Sequence, residues 1–141
     1  MEISSVGDDF LIKNKIERMD ANRFDLFDYT RCNFHLDRYH FATRYTKNMD
    51  VIDCASGTGY GSYILNRLGL AKTVMGVEYD NEAVNYAKKT YISKNLNFHQ
   101  GNIKKLSFKD ASFDVFVSFE TIEHIANEEN QLTEIFRVLK P

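Results

Sequence analysis

The chain has 141 residues, 43% hydrophobic and 27% charged, the balance of one globular domain with a real core. Its net charge of −2 gives no overall attraction to nucleic acid or to an anionic membrane. No apolar run is long enough to span a bilayer, MEISSVGDDF is not a signal peptide, and Cys32 and Cys54 lack metal-ligand spacing, so a reducing cytoplasm is the expected setting.

In chain order, Met1 to Asp20 mixes charge with scattered apolar residues and reads as a loosely held arm. The expected division is an arm over 1–22 and one domain over 23–141. Asn22 to Lys47 is rich in aromatics without a clean period, and its later part, His35 to Tyr45, reads as a helix beside a sheet. Asp50 to Cys54 is a first strand, Tyr60 to Leu68 a helix stopped near Gly69, and Thr73 to Glu78 a second strand. Asn81 to Lys94 is a helix with Ala83, Val84, Ala87 and Tyr91 as its inner stripe and Asn81 as a start signal. Leu96 to Gln100 is a third strand, followed by a short helix and a polar turn over Ser107 to Ser112. Phe113 to Phe119 is an unbroken apolar fourth strand, buried on both sides. Asn127 to Leu139 is a helix with Leu132, Ile135, Phe136 and Leu139 inward. Strands alternating with helices predict an α/β fold with a parallel sheet, order 3-2-1-4, and helices on both faces.

The chemistry starts at VIDCASGTGYG, Val51 to Gly61. A buried strand reaches Asp53, and a turn carrying Gly57, Gly59 and Gly61 leads into a helix. Glycines let the backbone pass close to a ligand, and the helix start offers free N–H groups. A second acid, Glu78, ends the next strand 25 residues after Asp53, the span of one strand–helix–strand unit. A carboxylate there suits the two hydroxyls of a ribose, so the pattern points to a nucleoside-bearing cofactor.

The loop, Glu78, the Gly101-Asn102 pair and SFETIEH, in this order and spacing, resemble the class I S-adenosylmethionine-dependent methyltransferases over Asp37 to Pro141. That family's loop reads acid-x-Gly-x-Gly-x-Gly; here Asp53, Ala55, Gly57 and Gly59 fill those places, with alanine for the first glycine. The resemblance implies a Rossmann-like fold, S-adenosyl-L-methionine as cofactor, and methyl transfer to a small-molecule or saccharide acceptor. HLDRYH, from His35 to His40, resembles the N-terminal helix of methyltransferases of bacterial surface-polysaccharide gene clusters, which implies that Arg38 or Tyr39 closes over the cofactor. In the same family the LKP ending at Pro141 opens the turn into the fifth of seven strands. The sheet is therefore expected to be incomplete at that end, with its strand-four edge covered by a second copy of the chain or by further residues.

Each site residue has a second reading. Asp53 organises the loop and helps hold the cofactor's amino group, or it caps the next helix. Gly57 and Gly59 admit a ligand, or are ordinary turn glycines. Ser56 serves the local backbone, and Tyr60 packs or lies near the methionine moiety. Glu78 takes the ribose; Tyr79 lies on the adenine or stays in an exposed turn. Asn102 stands where the family often has an acid for the adenine amine, and Ile103 walls the base or joins the core. Phe119, Glu120 and Thr121 end strand four at the edge facing the pocket. His124 is a general base for an acceptor hydroxyl, or a structural histidine. A cofactor-binding module without catalysis is one alternative. A nicotinamide-linked oxidoreductase is disfavoured, because Gly57-Thr58-Gly59-Tyr60-Gly61-Ser62 does not fit Gly-x-Gly-x-x-Gly.

Overall fold

A computed structural model describes residues 10, 11, 13, 19–119, 121 and 128–141. Helix α1 spans Tyr29–Ala42 and runs into a 3-10 turn, Thr43–Tyr45. Then follow β1 (Asp50–Cys54), α2 (Tyr60–Arg67), β2 (Thr73–Glu78), α3 (Asn81–Thr90), β3 (Leu96–Gln100), β4 (Val115–Val117) and α4 (Glu128–Val138). All ladders are parallel and the order is β3-β2-β1-β4, as expected. Parallel strands need crossovers, which α2 and α3 supply.

The period of two along β1 sorts the core. Val51 faces one side with Val74, Leu96, Phe98 and Val117, against apolar residues of α1, α2 and α3. Ile52 and Cys54 face the other side with Val77, against Val138 of α4 and Leu106 and Phe113. Helices thus cover both faces, and β1 lies in the middle with every residue after Asp50 buried.

Several boundaries differ from the sequence reading. Helix α1 begins six residues before His35, because Asp28 accepts a bond from the Arg31 N–H and caps it. Helix α3 is capped by Asp80, not Asn81, and ends at Thr90; Tyr91 closes it by donating its N–H to Ala87. The helix expected before Ser107 is a turn in which Asn102 bridges Lys105. Strand β4 keeps only Val115–Val117 in the ladder, since among the described residues it pairs with β1 alone, and Val115 and Phe116 are half-buried. Helix α4 turns Gln131 and Val138 inward; Leu132 and Phe136, expected inside, are exposed. The arm is not loose where it is described: Leu11, Met19, Asp20 and Ala21 are buried, and Phe10 stacks on Tyr86.

Candidate cofactor cleft

A cleft of about 290 Å³ opens outside the carboxyl ends of the strands, where ligands of open parallel sheets sit. Ala55 lines it after β1, Val77, Glu78 and Tyr79 at the end of β2, Gly101 to Lys104 after β3, and Thr121 after β4.

Glu78 is buried, and each carboxylate oxygen accepts one backbone N–H: Gly57 at 2.9 Å on Oε2 and Asp80 at 3.1 Å on Oε1. Glu78 therefore ties the glycine loop to β2 and stands on the cleft wall.

The three loop glycines serve three purposes. Gly57, at φ +55, has nothing within 4 Å of where a Cβ would stand, which leaves open space on the loop. Gly59, at φ +93, is pressed from behind: a Cβ there would lie 2.7 Å from Ala87 and 2.8 Å from Phe98. Gly61 is a packing glycine, because a Cβ would lie 2.0 Å from the Tyr39 ring. Ala55 adopts φ +59, the left-handed conformation that the family's glycine would take without strain. The Ser56 hydroxyl is buried and has no partner among the described residues.

Asp53 stands one layer behind the cleft wall, fully buried. Tyr39 donates its hydroxyl to Oδ1 at 3.2 Å and Ser62 to Oδ2 at 2.7 Å, so the carboxylate bolts α1 to α2. Burial pushes its pKa up to about 7, those two bonds pull against that, and the nearby Glu78 charge adds to the rise. Tyr39 is raised well above the usual tyrosine range by the same burial and by Asp53.

Of the residues singled out in the sequence, Ala55, Glu78, Tyr79, Asn102, Ile103 and Thr121 meet on the cleft wall. Tyr79 presents an exposed ring. Asn102 already accepts the Lys104 N–H on Oδ1 at 2.9 Å, which leaves its amide donors and one lone pair. Ile103 packs on the lower core. Asp53, Ser56, Gly57, Gly59, Tyr60 and Phe119 lie off that wall. Tyr60 is buried with its hydroxyl 3.2 Å from Nδ1 of His35, and Phe119 meets the Tyr39 ring edge-on at 5.1 Å. Glu120 and His124 lie outside the described residues. Sequence reasoning missed Val77 and Lys104, and used Gly101 only as part of the Gly-Asn pair after the third strand.

A family model described as a methyltransferase domain matches residues 45–141. The chain belongs to the class I S-adenosylmethionine-dependent methyltransferases. A probable S-adenosylmethionine-dependent methyltransferase of Mycolicibacterium smegmatis is 35% identical over 92 residues, covering 65% of this chain and 34% of the relative. The demethylmenaquinone methyltransferase of Lactococcus lactis is 33% identical over 97 residues, 66% of this chain and 38% of the relative. The PH0226 protein of Pyrococcus horikoshii OT3 superposes with a TM-score of 0.68 at 30% identity, over 77% of this chain and 53% of that one. The chain spans a little over a third of those two relatives' length. S-adenosylmethionine is the cofactor of this methyltransferase family, and the acid at the tip of β2 and the open space beside Gly57 fit it.

Proposed function

We propose that this methyltransferase domain binds S-adenosyl-L-methionine in the cleft and directs methyl transfer to a small-molecule or saccharide acceptor in the cytoplasm. The supporting observation is Glu78, a buried acid at the tip of β2 that lines the cleft and accepts the Gly57 N–H of the glycine loop, the place where a ribose would meet a carboxylate. Tyr79 and Ile103 flank the adenine, and Asn102 pairs with its edge. Gly57 and Ser56 run along the methionine part, with Gly59 and Tyr60 bracing the loop and Asp53 behind them. Bound there, the cofactor supplies a methyl already activated by its sulfonium charge. The protein's tasks are to align the acceptor and exclude water. His124 takes the acceptor proton, and Phe119 and Glu120, at the end of the fourth strand, belong to the cofactor side of the pocket.

Calorimetry with S-adenosylhomocysteine, run against NAD, tests the reading. Glu78→Ala is expected to weaken binding by about ten-fold or more, the worth of charge-assisted bonds, and His124→Ala to leave it within about two-fold. Equal or reversed losses would show that the pocket is elsewhere. Transfer is assayed with labelled cofactor on nucleotide sugars, glycans and a quinone, the last because of the Lactococcus relative. Binding without transfer to any of these would favour a non-catalytic binding module.

A second copy of the chain is the partner proposed for the outer edge of β4. Along that edge a groove of about 470 Å³ runs between Phe41 and Tyr45 on one side and Leu139 on the other. An apolar strand edge of this kind favours strand-to-strand association.

A further inference from the structure

Thr58 lies between the two loop glycines and is buried, pointing away from the cleft wall. Its hydroxyl donates to the main-chain carbonyl of Met19 at 2.9 Å. Met19 precedes the region that the methyltransferase family model covers, which begins at residue 45. The next residue, Asp20, is fully buried, and three donors converge on it. Tyr86 of α3 donates to Oδ2 at 2.8 Å, Tyr91 to the same oxygen at 2.5 Å, and the Asn22 N–H to Oδ1 at 2.9 Å. Asn22 also donates its side-chain amide to the Tyr91 hydroxyl at 3.2 Å. A carboxylate buried this deeply is costly unless its bonds are met, so its place is tightly fixed by its partners. Asp20 therefore holds the Met19 carbonyl at a set position relative to α3. Ala87 of α3 and Phe98 of β3 stand close behind Gly59, the next residue of the loop.

We propose that Asp20, acting through the Met19 carbonyl and the Thr58 hydroxyl, is the positioning residue that holds the glycine loop in its cofactor-binding shape. The loop's two positive-φ glycines make it adaptable, and a loop free to change shape binds its ligand less tightly. Three contacts remove that freedom: Glu78 on the Gly57 N–H, Ala87 and Phe98 against Gly59, and Met19 on Thr58. The first two belong to the domain itself. The third comes from the N-terminal segment, which is thereby part of the site without reaching the ligand. This inference rests on the loop belonging to the cofactor site.

The test uses Thr58→Val, which removes the hydroxyl at nearly constant volume, Thr58→Ser, which keeps it, and Asp20→Asn. Two readouts are taken on the full chain: S-adenosylhomocysteine affinity, and hydrogen exchange of the Gly57 to Gly59 amides without ligand. Thr58→Val is expected to weaken binding about five- to ten-fold, the worth of one hydrogen bond, and to speed loop exchange selectively over β1 and β2. Thr58→Ser should restore both, and Asp20→Asn should shift both in the direction of the valine variant. Unchanged loop exchange in Thr58→Val overturns the proposal. So does a loss that serine fails to restore, or acceleration spread evenly over the sheet, which marks general destabilisation. If the parent chain binds no S-adenosylhomocysteine, the functional reading fails, while the exchange readout still decides whether Asp20 and Thr58 fix the loop.

Discussion

Ala55 is the clearest local departure from the glycine pattern, and its φ of +59 makes the departure measurable. An L-residue in that region carries a strain of roughly 1–2 kcal/mol, part of which glycine gives back through its freer unfolded chain. Ala55→Gly should therefore raise stability by about 0.5–1 kcal/mol in urea denaturation; a loss would show that the alanine methyl makes a compensating contact. Asp53 gives a pH signature. Its folded pKa is raised to about 7 from an ordinary carboxylate value of 3.8, so the folded state holds the proton more tightly than the unfolded one. Its contribution to stability is then fully present below about pH 4 and is lost as pH climbs through 7. In Asp53→Asn that loss is absent, so the variant should gain on the parent as pH rises from 4 to 7 and then hold level. A constant difference across that range would mean that Asp53 does not titrate there.

At the level of elements, the exposed stripe on α4 separates pattern from packing. Leu132 and Phe136 face out although their spacing reads as an inner face, while Val138 is fully buried. Leu132→Glu and Phe136→Lys should each change stability by no more than about 0.5 kcal/mol, whereas Val138→Ala should cost about 1–3 kcal/mol, all by chemical denaturation. A large loss at Phe136 would mean that its ring is covered in solution. Strands β1 and β2 were legible to the residue because their largely buried apolar runs end abruptly at polar turns, and β3 because Leu96 and Phe98 alternate with exposed polar residues. The cleft's tip residues followed from those ends, since a parallel sheet delivers them to one edge. Helix α1 was half legible: its exposed Phe34 and Phe41 blur the period that its buried Leu36, Tyr39 and Ala42 carry. The role of Gly61 was hidden because it depends on Tyr39, and that of Asp20 because Tyr86 and Tyr91 come from 66 and 71 residues away. Periodicity reports which face is apolar. It does not report which distant side chain arrives there.

For the whole molecule, the outer edge of β4, which among the described residues pairs with no further strand, gives the test of the proposed second copy. If a second copy covers it, light scattering should give a mass near twice 16.4 kDa, and Tyr45→Asp, at the groove's exposed rim, should shift the protein toward the monomer. A clean monomer at high micromolar concentration would remove the second copy as the occupant. The buried carboxylates have one more consequence, and it is optical. The chain has eight tyrosines and no tryptophan, so its ultraviolet emission comes from phenol rings alone. Three of those rings, Tyr39, Tyr86 and Tyr91, donate their hydroxyls to Asp53 or Asp20. A carboxylate acceptor quenches an excited phenol by drawing off its proton. The folded protein should therefore glow dimly and brighten as α1 or the N-terminal segment lifts away, so that each of these two seams carries its own built-in lamp.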